Sequence, residues 1–251
     1  MNFRTMSCVA GAAFIFTMLM IALLLPLQSA YVVNLDHRLV PASSAHLFGT
    51  DELGRDMLSR FLAGSRYTLL TGFTTTLLAC ASGYLMGAGV RIAPKWFGRP
   101  IVLLAYVCFV IPSFLLAPRR PNRLLTTALC TIAILPLFII SLIVIAGAGL
   151  TGWANCFVLG PLWGVAITYV FQRDTSPGAA AALTISVFAW AVVSHAELDI
   201  LGLGVSPPEP SWGSMLVAQS QSWGAQVASA LSFLMIAIFA FSSSDIISRK
   251  T

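Results

Sequence analysis

From Tyr67 to Val90 the chain runs for about 24 residues without one Asp, Glu, His, Lys or Arg. As a helix this run is about 36 Å long at 1.5 Å per residue, enough to cross a hydrocarbon core of about 30 Å. Apolar runs of the same character occupy 9–27, 101–117, 124–150, 153–171, 179–196 and 227–244. With 58% hydrophobic residues in 251 and a mean hydropathy of +0.88, the chain carries more apolar surface than a soluble core could hide. The expected fold class is an all-α integral membrane protein.

Seven runs do not mean seven crossings. The run 101–117 is the shortest, contains Pro112 and is bounded by Pro100 and Pro118. The net charge of +5 would suggest nucleic acid for a soluble chain, but here it follows from topology, since Lys and Arg collect in cytoplasmic loops. The run 9–27, preceded by Arg4, reads as an uncleaved anchor with its N-terminus inside. If all seven runs crossed, Arg119, Arg120, Arg123 and the Arg249-Lys250 end would lie outside. If 101–117 dips or lies along the interface, every basic cluster falls inside. Six transmembrane helices and one short non-crossing segment are therefore expected. The chain divides into an anchor helix over 1–30, a periplasmic segment with a short amphipathic helix over 31–66, and core helices over 67–251.

Two polar blocks stand out against this background. In the first, Gly49 to Arg60, five of twelve residues ionise. Thr50 is a good N-cap, Asp51 and Glu52 suit a first helical turn, and Asp51/Arg55 and Asp56/Arg60 are spaced i,i+4. A helix from Asp51 to about Leu62 is expected. The second block, Leu201 to Gly213, is rich in Gly and Pro, which end a helix and force a turn. Trp212 and Trp223 flank it at an expected membrane interface.

Ionisable residues near a span mark function by default, and here they are His195, Glu197 and Asp199. His195 and Asp199 share a helical face and are expected to be hydrated. They could line a pathway or hold a divalent metal, although two ligands on one helix do not complete a site. The five cysteines lie in or beside apolar runs with no metal or disulfide spacing, so they read as small buried hydrophobes.

Both blocks closely resemble the permease subunits of peptide- and nickel-type ABC importers, at Gly49, Thr50, Asp51, Gly54, Arg55 and Asp56 and again at Gly202, Gly204, Pro207, Pro208, Trp212 and Gly213. The resemblance covers roughly 45–90 and 183–218, and most suits the second, C-type permease. It implies half of a translocation pathway in a bacterial inner membrane, with the second block at an outer mouth where a binding protein docks. The implied partners are a second homologous permease, two cytoplasmic ATPases, an extracytoplasmic substrate-binding protein and membrane lipid, with no nucleic acid and no cofactor. The expected cargo is a di- or oligopeptide, with nickel or a metal complex as the alternative. No Gly-x4-Gly-Lys-Ser/Thr pattern occurs, so nucleotide chemistry would belong to partners and the chain is not expected to be an enzyme.

One departure matters. Such permeases carry after the position of Trp163 a cytoplasmic coupling loop with a Glu-Ala-Ala motif, whereas here Gln172 to Pro177 alone separate two apolar runs. Arg119, Arg120 and Arg123 are the expected replacement contact for the ATPase. Two other classes stay open: a non-transporting assembly subunit, which the lost loop suggests, and an ion-coupled carrier, which the uncharged runs disfavour.

Overall fold

The computed structural model describes residues 3–24, 30–92, 139, 141–173, 177–217 and 223–248. The helices, in order, are α1 Phe3–Leu24, α2 Met57–Ile92, α3 Asn155–Arg173, α4 Pro177–Ile200, α5 Trp212–Val217 and α6 Trp223–Ser248. A further helical stretch covers 141–148. Among the described residues the extended pairing is confined to an isolated bridge between Thr50 and Asp56. Among the described residues three segments are long and apolar enough to cross a membrane: Met57–Val90, Leu183–Ile200 and Trp223–Ala240.

The expected helix over 51–62 does not form. Residues 51–56 make a tight turn, and α2 begins at Met57 and continues unbroken through the expected 66/67 boundary to Ile92. The reason is local: Gly54 sits at φ +71, outside the helical region, and Asp56 rather than Thr50 caps the first turn. Its Oδ2 accepts from the Ser59 N–H at 2.8 Å and from the Ser59 hydroxyl at 2.7 Å. From Met57 onward no proline interrupts the helix. Several of its threonine hydroxyls are satisfied within it, Thr71 donating to the Tyr67 carbonyl, Thr74 to Leu70 and Thr76 to Gly72, so polar residues survive in an apolar setting.

Cross-helix contacts fix the directions. At the start of α3 the Cys156 thiol approaches the Thr71 carbonyl of α2 at 3.7 Å, and farther along both helices Thr168 donates to the Gly83 carbonyl at 3.0 Å. Thus α2 and α3 run parallel, with small residues including Gly83 and Gly160 at their contact, as membrane helix pairs favour. The Cys80 to Thr184 contact deep in α2 and the return of α4 toward α5 make α4 antiparallel to both. Of the two apolar clusters, one gathers Met57, Phe61, Leu69, Phe188, Val192, Trp212 and Ile236. The other joins Ala79, Ile145, Leu159, Trp163, Ile167 and Leu198.

Candidate functional site at one end of the bundle

The starts of α2 and α3, the end of α4, and α5 meet at one end, and there the structure brings the two sequence blocks together. Thr50 is fully buried. Its hydroxyl donates to the His37 carbonyl at 2.6 Å and accepts from the Val40 N–H at 2.8 Å, clamping the loop that precedes the helix. Asp51 Oδ1 accepts the Leu53 and Arg55 N–H groups, both at 2.9 Å, and Oδ2 accepts Arg55 Nε at 2.7 Å. The expected Asp51/Arg55 pair therefore exists, inside a turn rather than along a helix.

The expected Asp56/Arg60 pair is replaced. Asp56 Oδ1 lies 3.1 Å from His46 Nδ1, while Arg60 Nε lies 3.7 Å from Asp51. Arg60 Nη1 then donates to the carbonyls of Ala30 at 3.1 Å and Pro208 at 3.4 Å. This one guanidinium ties the chain after α1, the first block and the second block. A Cβ on Gly54 would overlap the Asn34 carbonyl, and the Asn34 N–H donates to the Leu53 carbonyl at 3.0 Å. Only glycine meets both the close approach and the positive φ.

Trp212 is not an interfacial anchor. It is fully buried, stacked on Phe61 with ring centroids 5.6 Å apart and edge-on to Phe233 at 5.9 Å. Its indole Nε1 donates to the Phe61 carbonyl at 3.1 Å, and its backbone N–H to the Thr68 hydroxyl at 3.1 Å. The reason is geometric: α5 lies across the first turns of α2, so an indole on α5 points inward. Trp223, by contrast, is 78% exposed. Gly204 and Gly213 lie against Asp199 and Ala196 with no room for a side chain. Gly202 takes φ +76 in the turn after α4, and Pro207-Pro208 carries a cis peptide bond.

His195 and Asp199 also depart from expectation. His195 is 2% exposed, with Nε2 at 2.8 Å from the Thr75 hydroxyl and 3.6 Å from the Cys156 thiol. Asp199 Oδ1 accepts the Val205 N–H at 2.9 Å and so shapes the turn of the second block. The two side chains serve different neighbours because α4 is packed on both sides here, by α2 and by the 201–211 turn. Glu197 alone of the three is exposed. Among the described residues no three His, Cys, Asp or Glu side chains gather as a metal site. Arg119, Arg120 and Arg123, with the segment 101–117, lie outside the described residues.

Sequence reasoning missed the cleft beside these blocks. It has a volume of about 450 Å³ and is lined by residues including Tyr31, Arg66, Tyr67, Trp153, Val205 and Glu209. Tyr31 donates to Glu209 Oε2 at 2.9 Å, and burial, reinforced by that carboxylate, pushes the Tyr31 phenol up from its ordinary value. The loop around Gly152 closes one side, its N–H donating to the Gly204 carbonyl at 2.9 Å, with Asn155 Nδ2 on the Leu203 carbonyl at 2.8 Å. These residues come from four separate segments, and no spacing in the sequence announces them.

No family model matches the chain. Among curated relatives, the di/tripeptide transport system permease protein DppC of Pseudomonas aeruginosa is 32% identical over 181 residues, 68% of this chain and 59% of that protein. A putative peptide transport system permease protein of Brucella suis is 32% identical over 197 residues, 74% of this chain and 64% of that protein. The glutathione transport system permease protein GsiD of Pectobacterium atrosepticum is 29% identical over 231 residues, 83% of this chain and 73% of that protein. The chain thus spans less than two thirds of the length of the first two relatives.

Proposed function

The chain belongs to the permease family of ABC-type peptide transport systems, and from that premise we propose that it forms half of the membrane pathway of an ATP-driven peptide importer. The observation that carries this reading is the joining of the two family blocks into one polar cap by Arg60 and Trp212. Such a cap over the end of a helix bundle suits a mouth against which a binding protein docks. In this reading the cap faces the periplasm across a bacterial inner membrane, a second homologous permease completes the pathway, and two ATPases bind the opposite end. The residues of both blocks are the docking surface, and the cargo is a di- or oligopeptide. Peptide stands ahead of the nickel alternative because no cluster of three His, Cys, Asp or Glu side chains forms among the described residues.

Helix directions support six crossings. Ile92, the end of α2, lies at the far end of the bundle, whereas Gly152 is back at the cap, bonded to Gly204. The proposed six-crossing topology accounts for that return with a single crossing by the run 124–150, whose helical end 141–148 leads to the cap; the segment 101–117 lies outside the described residues. The far end also favours a rebuilt coupling contact. Only residues 174–176 separate α3 from α4, too few for a coupling helix, which leaves Arg119, Arg120 and Arg123 in the 93–138 segment as the proposed contact.

The test is reconstitution. Co-expressed with its neighbouring transport genes and placed in membrane vesicles, the chain should co-purify with two ATPases and support ATP-dependent uptake of a labelled dipeptide. An assembled complex that hydrolyses ATP yet takes up no peptide overturns the importer reading. Failure to assemble with any ATPase favours the non-transporting alternative.

A further inference from the structure

The cleft beside the cap has a chemistry that the cap itself does not need. At its rim Arg66 is exposed and makes no hydrogen bond or ion pair with the described residues. Glu209 is exposed as well, with Oε2 held by the Tyr31 hydroxyl and Oε1 unengaged among the described residues. The Tyr67 side chain, 7% exposed, forms part of the cleft wall. The Trp153 ring lies edge-on to Tyr67 at 5.7 Å and supplies an apolar wall.

We propose that this cleft binds the two charged termini of a short peptide, Arg66 taking the carboxylate and Glu209, steadied by Tyr31, taking the ammonium. The inference rests on the peptide-permease reading and adds a substrate site on this chain. A short peptide at neutral pH is a zwitterion, with a carboxylate of pKa about 3.5 and an amine of pKa about 8. A guanidinium matches a carboxylate with two parallel hydrogen bonds. Two extended residues reach about 7 Å, and a 450 Å³ cleft falls within the ordinary range of small-molecule sites, about 300 to 1,000 Å³. Trp153 offers an apolar wall to the peptide side chains. The raised Tyr31 phenol stays protonated and so remains a donor to Glu209.

The test uses the detergent-purified complex containing the full chain, without its binding protein, and labelled L-alanyl-L-alanine in equilibrium dialysis. Saturable binding is expected, with at least a tenfold loss of affinity for the C-terminal amide and for the N-acetyl form. Arg66→Gln and Glu209→Gln should each raise Kd about tenfold or more, and Arg66→Lys should recover part of the loss. Absence of saturable binding to a folded complex overturns the proposal, as does equal affinity for the capped peptides. If Arg66→Gln leaves dialanine binding unchanged but abolishes capture of the binding protein, the cleft holds a protein loop and the proposal falls. The two readings separate in uptake assays. Binding without ATP-driven uptake would overturn the importer and leave the cleft standing, whereas unchanged KM for uptake in Arg66→Gln would overturn the cleft and leave the importer standing.

Discussion

Replacing Trp212 with alanine distinguishes a buried keystone from an indole floating at a membrane surface. The side chain is fully buried between Phe61 and Phe233, and removing a large aromatic from such a site costs about 3 to 5 kcal/mol in water-soluble proteins. Lipid is as apolar as a protein interior, so the transfer part shrinks in a membrane. The cavity part stays, because α5 is pinned through the Trp212 N–H to Thr68 and cannot collapse inward. The lost Nε1 bond adds about 1 kcal/mol, and the lost stacking about 0.5 to 1.5 kcal/mol. A total near 3 kcal/mol is expected. Trp212→Phe, which keeps most of the volume and the stacking, should cost about 1 to 1.5 kcal/mol. The assay is denaturant unfolding in mixed micelles, with Trp223→Ala as the control at an exposed indole, where less than about 0.5 kcal/mol is expected. If Trp212→Ala falls within the range of that control, the buried placement of the second block is wrong.

Gly54→Ala combines a left-handed backbone with overlap on the Asn34 carbonyl and should destabilise the cap by about 2 kcal/mol or more, read as faster proteolysis of the 30–56 loop. A cost below about 0.5 kcal/mol in unfolding would refute the turn. His195→Ala strips the Thr75 hydroxyl of a buried partner and should cost about 1 to 3 kcal/mol; a loss near zero would restore the hydrated placement. Cysteine at Glu52, which is exposed, should react with a membrane-impermeant thiol reagent from outside, and labelling only from the inner face would invert the proposed topology. Charge reversal at Arg119, Arg120 and Arg123 should lower substrate-stimulated ATP hydrolysis without weakening binding-protein docking, and full stimulation in an assembled complex would remove that segment as the coupling contact.

The parts of the fold that were legible in the sequence are those set by local composition. The apolar runs that fall within the described residues became helices because a chain in lipid must satisfy its backbone internally, and Gly202 and Gly204 of the second block became turns. What failed were readings that assigned a side chain to water or to a partner by spacing alone. Asp51 and Arg55 do pair at i,i+4, yet the same spacing arises in a turn, and only Gly54 hinted that the turn would win. Trp212 has the surroundings of an interfacial indole in sequence, but α5 folds across α2 and turns it inward. His195 and Asp199 share a helical face, and that face meets two different neighbours. The cleft was invisible for a similar reason, since Tyr31, Arg66, Trp153 and Glu209 lie far apart in sequence and only tertiary closure assembles them.

The pattern of ties at the cap also bears on how movement could reach it. The second block is fixed to α2 through Thr68, Phe61 and Arg60 and to the start of α3 through Gly152 and Asn155. Below these ties α2 and α3 are parallel and joined along small residues and by the Thr168 hydroxyl, with little freedom to slide. A displacement applied at the far end of either helix therefore carries the other with it and moves the cap as a unit, because close-packed interfaces transmit shifts rather than absorb them. The cleft has residues on both sides of that unit. Arg66, Tyr67 and Trp153 ride on α2 and the α3 start, while Tyr31 follows α1, whose contact in the bundle is chiefly with α6, where Gly11 meets Phe239. Rotation of the α2/α3 pair against α1 and α6 would therefore leave Arg66 and Glu209 moving together on the cap and would load the two bonds that cross to the chain after α1, Arg60 to the Ala30 carbonyl and Tyr31 to Glu209.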